Sequence, residues 1–113
     1  MTLVMAVETL RRSEVSALFE GAEHGGGVEI SVFLTTWPPW RGPRLHQHPY
    51  AEVFLIQEGE ALFSVDGEEL TLAADHVVVV PADTPHRFEN SQEAPLQVLS
   101  IQPSQRVQQT DVA

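Results

Sequence analysis

The chain is 113 residues long, with 42% hydrophobic residues, a formal net charge of −10 and no cysteine. That length suits one domain with a real core and is too short for two. The acidic balance argues against nucleic acid or an anionic membrane as partner; all six basic residues are arginine, which removes lysine Schiff-base chemistry, and the lack of thiols removes Cys nucleophiles, disulfides and iron–sulfur clusters.

In chain order, residues 1–7 are apolar but too few to span a membrane, and Glu8 follows without a basic leader. Neither a signal peptide nor a membrane segment is expected, and the protein is read as cytoplasmic. Short apolar runs divided by turn residues then continue along the chain, the pattern of an all-β barrel or sandwich. Strands are expected near 3–7, 17–19, 28–37, 53–57, 61–65, 68–72, 76–80, 86–89 and 96–101, with 15–19 open to one helical turn instead. His24, beside three glycines, reads as an exposed loop residue. Trp37-Pro38-Pro39-Trp40 is a stiff aromatic segment; Trp40 could form a lip over a binding mouth or pack on a neighbouring strand or subunit. Glu58-Gly59-Glu60 marks a turn, and Asp66-Gly67 is a strong hairpin signal, because a tight two-residue turn needs positive φ. His76 heads a strand with no partner in view and reads as structural or exposed.

The run from Val77 to Val80 is apolar on both faces, so that strand should be covered twice. The core supplies one cover; a second subunit or an N-terminal strand supplies the other, and a homodimer is expected. The polar tail from Ser104 should be an edge strand or a frayed end. The chain thus reads as a single domain over 1–113, with its barrel core at about 28–101, N-terminal strands within 1–27 and a short polar tail at 104–113.

Chemistry concentrates in Gly42-Pro43-Arg44-Leu45-His46-Gln47-His48-Pro49-Tyr50-Ala51-Glu52 and in Pro81-Ala82-Asp83-Thr84-Pro85-His86. On a strand, His46 and His48 share one face because side chains alternate with period two. Glu52 opens the next apolar run, and a chain that turns back after His48 could set its carboxylate beside both rings. Three imidazoles and one carboxylate suffice to hold a first-row transition metal with coordination positions left open. Taken on spacing alone, surface or structural histidines remain an equal alternative.

The two segments resemble the two motifs of the cupin superfamily. The first runs His46-x-His48, three residues, Glu52, six residues, Gly59; the second places Asp75, Pro81, Asp83, His86 and Asn90 at the family's offsets. Three departures stand out: three residues separate Gly42 from His46 where five are usual, and Asp75 and Asp83 replace glycines. Aspartate tolerates left-handed backbone, so both turns should survive. The resemblance implies a cupin-type β-barrel, the double-stranded β-helix or jelly roll. It also implies one divalent ion (Fe, Mn, Ni, Cu, Co or Zn) held by His46, His48, Glu52 and His86 at ~2.0–2.2 Å. A dimer fits it too.

Strand phase offers Phe54, Ile56 and Phe88 as walls of a small-molecule cavity, or simply as core. Arg44, in phase with the two histidines, could meet an anionic substrate group or remain a solvated surface residue. Tyr50 could donate a proton, and Glu52 could act as a base. Three functions stay open: a metal-dependent, dioxygenase-like oxygenase acting on a small organic substrate, a non-redox isomerase, epimerase or cyclase, and a non-catalytic ligand-binding or sensor barrel.

Overall fold

The computed structural model describes residues 2–112. Ten strands and little helix follow from the short alternating runs: β1 Ser16–Glu20, β2 Ser31–Trp37, β3 His46–Gln47, β4 Glu52–Glu58, β5 Glu60–Val65, β6 Glu68–Ala73, β7 His76–Val80, β8 His86–Asn90, β9 Leu96–Gln102 and β10 Thr110–Asp111. They form two five-stranded antiparallel sheets, ordered β1-β2-β9-β4-β7 and β10-β3-β8-β5-β6. The sheets face each other as a jelly-roll sandwich rather than closing into one continuous barrel.

Alternation along the strands builds the core between the sheets. Phe54 and Ile56 of β4, Ala61 and Phe63 of β5, Phe88 of β8 and Leu96 and Val98 of β9 all point inward and are buried. Phe54, Phe63 and Phe88 pack as a trio with centroids 5.1–5.7 Å apart, a spacing at which aromatic pairs gain beyond simple area burial.

The turns obey local backbone chemistry. Asp66 and Gly67 both have positive φ, 48° and 81°, as the β5–β6 hairpin requires. Asp75 and Asp83 sit at φ 66° and 57°, so both aspartates adopt the left-handed conformation for which glycine is usual. Gly42 is needed for a different reason: a Cβ there would lie 1.8 Å from the Phe88 carbonyl oxygen.

Four details differ from the sequence expectations. Residues 3–7 form no strand; the chain passes through a 3-10 turn at Val7–Leu10, and among the described residues of this region the one β contact is a bridge from Arg11 to Ala17. An apolar run becomes a strand only where a free edge accepts its backbone, and the chain folds back onto β1 too soon. β2 starts at Ser31 rather than 28, because residues 28–30 return from a one-turn helix, α1 Gly21–His24, through Val28 N–H to Gly25 O and Gly21 N–H to Ile30 O. His24 lies in that turn, half-buried, its Nδ1 accepting from the Glu20 amide at 3.0 Å. Finally, the N-terminal segment packs against β1 and does not cover β7, so Val77 and Val79 are 63% and 61% exposed.

Candidate metal centre

β3 and β8 lie side by side with His46 opposite His86 in register, and the chain just past β3 carries His48. Glu52 comes from the other sheet, at the start of β4 opposite Val80. One potential ligand atom from each of His46, His48, Glu52 and His86 lies within 4.8 Å of the others, and all four residues are buried. The cluster therefore ties the two sheets together at one end of the sandwich.

Hydrogen bonds fix which nitrogen each ring presents. Nδ1 of His46 faces the Arg44 carbonyl at 2.5 Å, Nδ1 of His48 faces the Gln108 carbonyl at 2.7 Å, and Nδ1 of His86 faces the Thr84 carbonyl at 2.8 Å. A carbonyl can only accept, so each Nδ1 carries the proton and each Nε2 turns a lone pair inward. Nε2 of His48 and of His86 both lie 3.1 Å from Oε1 of Glu52. The His48 nitrogen is buried and, despite that distance, has no geometrically sound hydrogen bond. Four acceptors converging in a buried space without enough donors lack a cation, and backbone carbonyls behind every imidazole are the usual outer support of a metal site. The residues fit a single divalent metal ion, and the cluster is a site for one.

Without the ion, protonation of the histidines serves the carboxylate instead. Burial alone would push the Glu52 carboxyl up, but contacts with His48 and His86, together with their charge, hold it at about 2. For His48, burial works downward and is outweighed by the Glu52 carboxylate and the Gln108 carbonyl, giving a net rise. Burial lowers the His46 imidazolium; the Arg44 carbonyl opposes this, and the neighbouring His86 and His48 add to the drop.

Glu52 has a brace that strand phase alone does not reveal. Gln102, buried at the end of β9, donates from Nε2 to Oε2 of Glu52 at 3.0 Å. Its Oε1 accepts from the Tyr50 hydroxyl, whose oxygen accepts from the Gln108 amide at 3.0 Å. The Tyr50 ring stacks on His48 at 5.2 Å with an interplanar angle of 8°. Tyr50 thus stands behind a ligand with its hydroxyl proton committed; burial raises its pKa, with the Gln108 amide opposing and Glu52 and Glu20 adding to the rise.

A cavity of about 290 Å³ adjoins the cluster and reaches it through His46 and Glu52. Phe54 and Phe88 line it, as strand phase suggests, together with Phe33, Trp37 and Val98. Three other candidates lie elsewhere. Ile56 faces inward but is sealed in the core, two steps along β4 from Phe54. Arg44 is exposed, because β3 begins only at His46 and the period-two phase does not extend back to it. Trp40 has φ 65° and is 62% exposed, bordering a separate groove beside Arg41 and Arg87. Asn90, at the last motif position, holds a turn: its Nδ2 donates to the Trp37 and Ala94 carbonyls.

Residues 33–102 match the family described as Cupin domain. An uncharacterised protein of Methanocaldococcus jannaschii is 31% identical over 74 residues, covering 65% of this chain and 59% of that protein. CurC of Streptomyces cyaneus, named as a polyketide synthase, is 44% identical over 46 residues, covering 40% of this chain and 30% of that protein. The chain therefore spans under two thirds of either relative. Among solved structures, Bacillus subtilis oxalate decarboxylase, described with Mn(II) centres, superposes with a TM-score of 0.77 at 26% identity, over 89% of this chain and 29% of that one.

Proposed function

The chain belongs to the cupin domain family, and on that premise we propose that it is a metal-dependent oxygenase acting on a small organic substrate held between its sheets. One observation carries this reading: His46 and Glu52 belong both to the metal cluster and to the wall of the cavity. A molecule in the cavity therefore meets the centre directly. When bound, a divalent ion supplies a Lewis acid and, if redox-active, a one-electron couple.

The chain's own residues do the rest. Phe33, Trp37, Phe54 and Phe88 exclude water and bury the substrate's apolar surface. Glu52, oriented by Gln102 and kept ionised by its contacts with His48 and His86, is the base for an acidic substrate proton. Tyr50 and Gln108 hold Gln102 and His48 in place. A second reading is supported by the likeness to CurC: a non-redox cyclase or isomerase in which Glu52 moves a proton beside a polarised carbonyl. We include in the proposal a cytoplasmic homodimer in which the exposed Val77 and Val79 are covered by a second copy.

The test is elemental mass spectrometry of untagged protein purified without chelators, with His48→Ala alongside, followed by oxygen-electrode assays. About one redox-active metal per chain, absent from the variant, with substrate-dependent oxygen uptake, supports the oxygenase. Metal without oxygen uptake but with substrate conversion favours the second reading. No metal after reconstitution overturns both.

A further inference from the structure

We infer that the cavity takes an uncharged or singly ionised, largely hydrocarbon molecule bearing an enol or phenol oxygen, and that it discriminates against dicarboxylates. The inference rests on the metal-centred reading and names the substrate class for it. The first support is the wall. Phe33, Trp37, Phe54, Phe88 and Val98 enclose about 290 Å³, roughly twice an apolar cavity of ~150 Å³ that accepts benzene. That space suits a body of one to two rings and is poorly filled by a two-carbon diacid.

The second support is charge. The chain has no lysine, and none of its six arginines borders the cavity. Arg12, beside the cavity residue Ser13, is engaged by Glu20 at 3.0 Å. Arg41 and Arg87 border the other groove, where Glu69 and Glu89 accompany them. Arg44 is exposed. Polar side chains on the cavity wall such as Ser16, Thr35 and Ser100 are neutral. A divalent ion with three neutral imidazoles and the Glu52 carboxylate leaves one net positive charge. One enolate or phenolate neutralises it. A second carboxylate would remain as an unpaired anion against phenyl rings, which is strongly unfavourable. The proton that an enol or phenol gives up on binding passes to water, so Glu52 keeps the negative charge counted above. Oxalate, the substrate in the name of the Bacillus subtilis relative, fits neither the wall nor the charge.

Calorimetric titration of metal-loaded protein with naphthol, oxalate and phthalate tests this, with metal content measured on the same samples. Naphthol should bind at least ~10-fold more tightly than either dianion. Thr35→Arg, which puts a cation on the cavity wall, should raise oxalate and phthalate affinity at least ~10-fold without changing metal content. Ser13→Arg does the same from a loop if the Thr35 variant fails to fold. Dianions binding wild type as well as naphthol, or no naphthol binding at all, would overturn the inference. Protein that takes up no metal sinks the catalytic reading separately, because apolar burial still ranks naphthol first; a reversed order there also overturns the substrate class.

Discussion

At the scale of single residues, the ligands divide between what the ion needs and what the fold needs. The sandwich has its own apolar core, which starts beside the cluster at Phe54 and continues between the sheets, so His48→Ala and His86→Ala should keep the fold and lose most bound metal, read by elemental analysis and circular dichroism; unfolding would mean that the ion holds the structure. Gln102 acts through Glu52. Gln102→Leu should weaken metal affinity by about 10-fold or more by chelator competition, as loss of an outer support does at other metal sites, with a smaller change in thermal midpoint. In the metal-free chain the Glu52 carboxyl sits at about 2, below its ordinary 4.5. A depressed acid favours the folded state above its unfolded pKa and loses that contribution as pH falls through the folded value. Urea midpoints should therefore drop between about pH 5 and 2, and Glu52→Gln should flatten that slope. For the loaded protein, protonation of the histidines competes with the ion, and release is expected below about pH 6; full metal retention at pH 5 would contradict this.

Among the elements, strands with a strict inside-outside alternation were legible in the sequence. β4, β5, β8 and β9 lie close to their expected places because Phe54, Phe63, Phe88 and Val98 mark one face in period two. The two-residue β3 and β10 were less so: their pairing of Thr110 with Gln47 and Asp111 with His46 depends on a long return of the chain and leaves no local signature. Gln102 carries no local signature of its role for a related reason, since its partner Glu52 is fifty residues away in sequence. The aspartate turns were read correctly from local chemistry, and they make a test. Asp83→Gly should be neutral or stabilising, whereas Asp83→Val should cost about 1–2 kcal/mol by urea denaturation, since a side chain at positive φ is strained and a β-branched one most of all.

For the whole molecule, the outer face of the sheet that holds β9, β4 and β7 carries exposed apolar side chains. Val77 and Val79 on β7 lie in register with Leu55 and Val53 on β4, and Val53 with Ile101 on β9, so the exposed valines continue an apolar stripe across three strands. The run of valines was legible as doubly apolar, but a sequence carries no record of which body covers the outer side. If a second copy does, Val79→Glu should convert a dimer to a monomer in sedimentation velocity with metal content unchanged. The last residues bear on the centre in another way. Gln108 uses its carbonyl to hold the His48 ring and its amide to hold Tyr50, so a segment remote in sequence belongs to the ion's surroundings. Metal binding and the docking of this strap are then two halves of one thermodynamic cycle: whatever the strap gives to affinity, the ion must return to the strap. Loading the site should slow hydrogen exchange at the Gln108 amide, and cutting the chain before Gln108 should weaken the equilibrium affinity for the ion by a matching factor, read by chelator competition.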